Sequence, residues 1–150
     1  MIEVFSGQAP SENLLRIFGF SIFEPTPQKS AERMAAQLAK PGARILVYRE
    51  SGGRELALIG YSAMEKLLVV DYLAVDPPSR RRGIARALVE EAIRRELPDR
   101  VELETDAGAK AFYEGIGFST RSLGAKKGWN ERFSCLRIIA ADGGAEALVQ

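Results

Sequence analysis

One nearly continuous apolar run, Leu67 to Val75, constrains the fold of this 150-residue chain more than any other segment. Its nine residues contain a single charge, Asp71, and they are too few for a membrane-spanning helix, which needs about 20 residues. An uninterrupted apolar strand is typical of a sheet that is buried on both faces. Asp76-Pro77-Pro78-Ser79 ends the strand, and the apolar periodicity that follows predicts an amphipathic helix from Arg80 to about Leu97.

The rest of the chain contains helical and strand-like patterns without an internal repeat or a linker. Helices are predicted after the N-cap Ser11, from Ser30, and from Asp106 through Tyr113, where Asp106 can cap the first turn. Further strands are predicted at Ile2–Ser6, Arg44–Glu50, Leu56–Met64, Val101–Thr105, Phe118–Leu123 and Glu131–Ala140. We therefore expect one α/β domain over residues 1–150, a mixed sheet with helices on its faces, and a loose tail at 141–150.

Composition excludes several classes of function. The chain has no histidine and one cysteine, Cys135, so it cannot form a Ser-His-Asp triad, a Cys-His pair or a zinc site of the usual Cys/His type, and no metal is expected. A single cysteine forms no internal disulfide, which fits a reducing cytoplasm, and we interpret Cys135 as a core residue. The first ten residues lack the basic start of a signal peptide. A net charge of +1 gives no support for a nucleic-acid or membrane partner.

Three consecutive arginines, Arg80 to Arg82, precede Gly83 where the long helix begins. The first turn of a helix has unpaired N–H groups and the positive end of the helix dipole, so it binds phosphate readily. Gly83 lets an anion approach the backbone, and Ala85 keeps the next turn small. Cations are unfavourable at this end of a helix, so three arginines at this position indicate a bound anion that offsets their charge. We therefore favour a diphosphate site over a run of charges that only solvent contacts.

Two segments resemble the GNAT acetyltransferases. Arg80-x-x-Gly83-x-Ala85 after LAVDP is similar to that family's acetyl-CoA signature, (Gln/Arg)-x-x-Gly-x-(Gly/Ala). DAGAKAFYEGIGF, residues 106–118, resembles its Asn-x-x-Ala-x-x-Phe-Tyr-x-x-x-Gly-Phe segment, and both lie in family order within residues 67–118. The resemblance implies a mixed, twisted sheet of about six to seven strands flanked by about four helices.

The resemblance also implies an acetyl-CoA site and its catalytic groups. Residues in the positions that hold the cofactor are Leu73, Ala74, Val75, Arg80, Arg81, Arg82, Gly83, Ile84, Ala85, Asp106, Ala109 and Phe112. Tyr113 occupies the position of the general acid that protonates the departing thiolate, and a phenol is protonated at neutral pH. Asp106 departs from the family's asparagine and cannot donate as an amide does.

A base must remove the proton of the acceptor ammonium. Asp71 is the first candidate because it is the only charge in the central strand, and Glu65 and Glu104 are further candidates. A structural Asp71, hydrogen-bonded or ion-paired to an arginine, is one alternative interpretation, and water alone as the base is another. Lys126-Lys127 and Trp129 lie in a turn near the expected acceptor side.

The function that follows is acetyl transfer from acetyl-CoA to a primary amine by direct attack, in a ternary complex with no covalent enzyme intermediate. The acceptor is a small molecule, a peptide N-terminus or a lysine, and the chain is a monomer or a homodimer. A non-catalytic acyl-CoA-binding module that acts on a protein partner is the alternative, because it needs the phosphate site but not Tyr113.

Overall fold

The computed structural model describes residues 1–125 and 130–139 of the chain. These residues form seven strands and four α-helices: β1 Ile2–Val4, α1 Glu12–Gly19, α2 Pro27–Leu38, β2 Ala43–Arg49, β3 Glu55–Met64, β4 Leu67–Val75, α3 Ile84–Glu96, β5 Arg100–Asp106, α4 Ala107–Gly115, β6 Ser119–Gly124 and β7 Arg132–Ile138. One sheet contains all seven strands in the order β1-β2-β3-β4-β5-β7-β6, and only β4 and β5 pair in parallel. The predicted mixed α/β class is confirmed. The expected tail at 141–150 and the turn with Trp129 lie outside the described residues.

Two hydrophobic layers cover the two faces of the sheet. On one face, α1 and α2 pack against the strands from β2 to β4, around Phe18, Met34 and Leu58. On the other face, α3 and α4 enclose a larger core that includes Leu88 and the fully buried Cys135, which is the core residue that the sequence predicts. Among the described residues, no helix is long and apolar enough to cross a membrane, and no group of metal-ligating side chains is arranged to hold an ion.

Two helices begin at other residues than the sequence pattern predicts. α3 begins at Ile84 and not at Arg80, because Arg81 (φ +65°) and Gly83 (φ +78°) have left-handed backbone that a right-handed helix cannot contain. A short 3₁₀ helix at Pro77–Ser79 fills part of the connection from β4. α2 begins at Pro27, three residues before the predicted start, because the Thr26 hydroxyl accepts a hydrogen bond from the Lys29 N–H at 3.0 Å.

The parallel strands β4 and β5 separate soon after they pair. Their register joins only Leu67–Val69 to Arg100–Glu102, although β4 continues to Val75. β5 continues on its other side, where it pairs with β7 over its whole length. Within the described residues, the edge of β4 that faces β5 therefore has no strand neighbour beyond Val69, and a cleft opens in the middle of the sheet.

Candidate active site

The free edge of β4 offers backbone groups to this cleft. The Asp76 N–H donates to the Leu56 carbonyl of β3 at 2.8 Å, whereas the Val75 carbonyl accepts from Arg80 Nε on the other side at 3.0 Å. Backbone groups of successive strand residues point to opposite edges, so those of Leu73 also face the cleft. The cleft is thus provided with main-chain donors and acceptors at two alternate positions of β4, Leu73 and Val75.

The N-terminus of α3 closes one end of the cleft. Gly83 is its N-cap, and no side chain caps the first turn, so the N–H groups of that turn lack side-chain partners. A Cβ added at Gly83 would meet no atom within 4 Å, so the space beside the backbone is open. This arrangement suits an anion, as the sequence predicts.

Most of the predicted cofactor residues line one cleft of about 550 Å³. They are Leu73, Ala74, Val75, Arg80, Arg81, Gly83, Ile84, Ala85, Ala109 and Phe112, and Tyr113 joins them. Arg82 is exposed and is not part of the lining, and Asp106 lines a second cavity farther in. The Asp106 carboxylate accepts a hydrogen bond from the Ala109 N–H at 3.1 Å, so it is the predicted cap of α4.

Tyr113 lies where the cleft meets the inner cavity of about 280 Å³. Its side chain is buried, and its ring makes edge contacts with Phe112 and Phe118 at 5.0 and 5.5 Å between centroids. Burial, with smaller contributions from Cys135 and Asp106, raises the pKa of the Tyr113 phenol above its usual value near 10. The phenol therefore keeps its proton at neutral pH and can act as a proton donor.

Asp71 is the extra residue of a β-bulge. Gly60 and Tyr61 of β3 pair with Tyr72 and Val70, and Asp71 between them has no partner in the register. Asp71 lies on the face of the sheet that α2 covers, and because the bulge shifts the alternation after it, Tyr72 lies on that face as well.

Side chains from α2, from the turn after it and from β3 hold the Asp71 carboxylate. Asp71 Oδ2 accepts from Gln37 Nε2 at 2.9 Å and Ser62 Oγ at 3.1 Å, and it lies 3.2 Å from Lys40 Nζ. The ion pair predicted as the structural alternative is thus present, with a lysine in place of an arginine. Oδ1 has no hydrogen-bond partner among the described side chains, and Asp71 lines the inner cavity.

The other candidate bases differ in position. Glu104 lines the inner cavity together with Asp71, and it makes no ion pair or hydrogen bond within the described ranges 1–125 and 130–139. Glu65 lies in the turn between β3 and β4, next to the start of β4 at Leu67, whereas the cleft lies toward the other end of β4 at Val75. Glu65 does not line the inner cavity, so the prediction of Glu65 as a base is wrong.

Sequence reasoning missed three residues of the site. Gln37 is buried and donates both to Asp71 and to the Tyr61 carbonyl, at 3.0 Å. Phe20 lines both the cleft and the inner cavity, and the Arg80 guanidinium lies 5.4 Å from its ring centroid. Arg132 lines the inner cavity. None of the three belongs to a motif, and only their long-range contacts identify them.

Known proteins agree with this geometry. The family profile described as "Acetyltransferase (GNAT) domain" matches residues 9–129. No curated protein sequence matches the chain.

Several solved structures have the same fold. One is the ribosomal-protein-S18-alanine N-acetyltransferase of Escherichia coli, with a TM-score of 0.70 at 19% identity over 98% of this chain and 99% of that one. An aminoglycoside 6'-N-acetyltransferase complexed with coenzyme A has a TM-score of 0.73 at 15% identity, over 95% and 99% of the two chains. A GNAT family acetyltransferase from Elizabethkingia anophelis with acetyl-CoA bound has a TM-score of 0.69 at 10% identity, over 93% and 97%.

The family profile covers most of the chain, and it includes both segments whose resemblance to the family implies an acetyl-CoA site. The fold similarity extends over nearly the whole length of the three solved structures. The chain therefore belongs to the GNAT acetyltransferase family.

Proposed function

We propose that the chain transfers an acetyl group from acetyl-CoA to a primary amine. The observation that carries this proposal is the continuity of the two cavities. The cleft that begins at the first turn of α3 shares Leu73, Ala109, Tyr113 and Phe20 with the inner cavity that contains Asp71 and Glu104. A long carrier can thus reach the carboxylates from the α3 end.

The residues present fit coenzyme A. The uncapped first turn of α3 and the open space at Gly83 suit the diphosphate, with Arg80 and Arg81 beside it. The backbone groups of Leu73 and Val75 suit the amides of the pantetheine arm, because an extended chain can pair with a free strand edge. The bond from Arg80 Nε to the Val75 carbonyl must be given up or shared in that complex.

When bound, acetyl-CoA supplies an acetyl group that is activated as a thioester. The Leu73 N–H, on the free edge of β4, is the donor available to stabilise negative charge on the carbonyl oxygen. Tyr113 holds the proton for the leaving sulfur, because burial keeps its phenol protonated. Holding both reactants in one cleft supplies a further part of the rate, about 7–11 kcal/mol in favourable model systems.

The acceptor ammonium must lose a proton before it attacks. Asp71, Glu104 and Asp106 are the three carboxylates of the inner cavity. Because Asp106 caps α4, we assign this proton to Asp71 first and Glu104 second. Three donors hold Asp71 Oδ2, which leaves Oδ1 for the acceptor. A comparison of Asp71→Asn with Glu104→Gln identifies the base as the residue whose loss removes the acidic limb of the kcat/KM profile.

Calorimetry and a thiol-release assay test the proposal in sequence. We expect CoA to bind with a dissociation constant in the micromolar range or below, and amines to stimulate thiol release from acetyl-CoA with formation of the N-acetyl product. No heat with CoA would overturn the assignment of the cleft. Binding of CoA without stimulation by any amine would favour the non-catalytic acyl-CoA-binding module instead.

A further inference from the structure

We infer that the acceptor is a small amino acid, whose carboxylate binds Arg132 while its amine faces Asp71 and Glu104. This inference rests on the proposed function, and it adds the chemical class of the acceptor. It comes from three charged side chains that line the same two adjoining cavities, of about 280 and 350 Å³. Neither motif of the sequence includes Arg132.

The strand register places Arg132 beside Glu104 on one face of the sheet. Arg132 of β7 lies opposite Asp106 of β5, and Ser134 lies opposite Glu104. Cross-strand partners share a face, as do residues two apart on one strand, so the Arg132 and Glu104 side chains project from the same face. This is also the face on which Asp71 meets α2.

These opposite charges are neighbours, yet no ion pair joins them. Within residues 1–125 and 130–139, Arg132 makes no ion pair or side-chain hydrogen bond, and the same holds for Glu104. Asp71 is already matched by Lys40. The two cavities therefore offer the exposed Glu104 carboxylate and the exposed Arg132 guanidinium, neither of which is paired within the described residues, with the free Oδ1 of Asp71 beside them. Asp106, opposite Arg132 in the register, is a third carboxylate of the inner cavity, and its Oδ1 accepts from the Ala109 N–H.

A zwitterion matches this arrangement better than a simple amine does. A guanidinium binds a carboxylate through two parallel hydrogen bonds, which fixes the orientation of the acceptor as well as its charge. An acceptor with an ammonium group alone would be attracted by the carboxylates but would form no bond to the Arg132 guanidinium. An amino acid satisfies both groups and adds no net charge.

The size of the cavities favours a small molecule over a peptide. Each cavity is at the lower end of the range for small-ligand pockets, about 300–1,000 Å³. A peptide N-terminus lies several residues from its own carboxylate, so it cannot place both groups in one such cavity. The acceptor's side chain can extend over the neighbouring surface of β5 and β7, because α1 and α2 pack on β2 to β4.

The test compares matched acceptors on the full chain. Glycine, alanine, leucine, phenylalanine and glutamate are each assayed beside their α-amides and a short peptide that begins with the same residue, with thiol release and product mass as readouts. We expect at least one free amino acid to exceed its amide at least tenfold in kcat/KM, mainly through KM. Equal use of acid and amide, or preference for the peptide, would overturn the inference and leave the proposed function standing.

Variants of Arg132 supply the second arm. Arg132→Gln should lower the ratio of kcat/KM for the amino acid to that for its amide by about tenfold or more, and Arg132→Lys should restore part of it. Arg121→Gln is the matched control, because Arg121 lies on the adjacent strand, opposite Ser134, and lines neither cavity. An unchanged ratio in Arg132→Gln, or an equal loss in Arg121→Gln, would refute the role of Arg132. Failure of CoA to bind the wild-type chain would instead remove the proposed function itself.

Discussion

Replacing Gly83 by alanine and by glutamate separates backbone strain from charge at the α3 end of the cleft. Gly83 has φ +78° and ψ 9°, where a residue with a Cβ costs roughly 1–2 kcal/mol of folding free energy. A Cβ there meets no atom within 4 Å, so both variants have room for the Cβ that they share. Alanine and glutamate share the backbone cost, and only glutamate adds a negative charge to the cleft.

The added charge should act on the diphosphate alone. Two unit negative charges about 6 Å apart repel by about 3 kcal/mol at an effective dielectric constant of about 20, which is about 100-fold in Kd. Gly83→Glu should therefore bind CoA about 100-fold more weakly than Gly83→Ala. Both variants should unfold in urea with similar midpoints, because the strain is common to them.

Calorimetry with two ligands checks the reasoning. CoA carries the diphosphate, whereas S-acetylpantetheine carries the thioester arm without it, so the difference between the variants should vanish with S-acetylpantetheine. CoA affinities that agree within threefold between Gly83→Glu and Gly83→Ala would refute the diphosphate site at the first turn of α3. An equal loss for both ligands would show that glutamate disturbs the cleft by a route other than charge.

The remaining predictions concern acid–base groups and the support of the site. Tyr113→Phe should lower kcat by about 100-fold without changing the CoA Kd. Because the Tyr113 pKa is raised, loss of the phenol proton should not lower the wild-type kcat below about pH 10, so wild type and variant should have the same pH profile up to that pH. Gln37→Leu removes two hydrogen bonds, one of them to a carboxylate, and should cost roughly 2–4 kcal/mol in urea unfolding, whereas the exposed Gln28→Leu on the same helix should change it by less than about 0.5 kcal/mol. Hydrogen bonds from Arg16 hold the pKa of the buried Asp76 below its ordinary value. The stabilisation that they give to the folded state is therefore present above about pH 4 and is lost as the pH falls through the folded-state pKa. Asp76→Asn should be less stable than wild type at pH 7 and should lose less stability on acidification.

Local patterns were sufficient for most elements of the fold. The run from Leu67 to Val75 coincides with β4, and Asp106 caps α4 as its side-chain chemistry predicts. The predicted start of α3 at Arg80 was wrong. Arginines are good helix formers, and nothing in the order of these residues indicates that Arg81 takes a left-handed conformation. Such a turn depends on what precedes and follows it in three dimensions, here a 3₁₀ turn and the N-terminus of a packed helix.

The acceptor side of the site depends on an irregularity that the pattern of β4 conceals. Without the bulge, strict alternation would put Asp71 and Leu73 on one face, whereas Leu73 packs against the α3 core and Asp71 meets α2. Gln37, which precedes Asp71 by 34 positions in the sequence, stabilises the bulge. Its side-chain amide donates to the Tyr61 carbonyl, next to the bulge, and to the Asp71 carboxylate. Gly60 leaves room for Tyr72, since a Cβ there would lie 3.2 Å from its ring.

Sequence motifs report the carrier site, the cleft that the cofactor would occupy, because most of its lining residues lie in three short segments, at 73–75, 80–85 and 109–113. The proposed acceptor side contains residues from α2, β4, β5 and β7, whose association is fixed only by long-range pairing. Asp71 was recognisable as the lone charge in an apolar strand, but Gln37 and Arg132 had no local signal. Arg132 and Glu104 belong to β7 and β5, which contribute nothing to the first turn of α3. Substitutions on these strands can therefore change the acceptor while the carrier site stays the same. Specificity in this chain should therefore respond to substitutions on β5 and β7 that leave CoA affinity untouched.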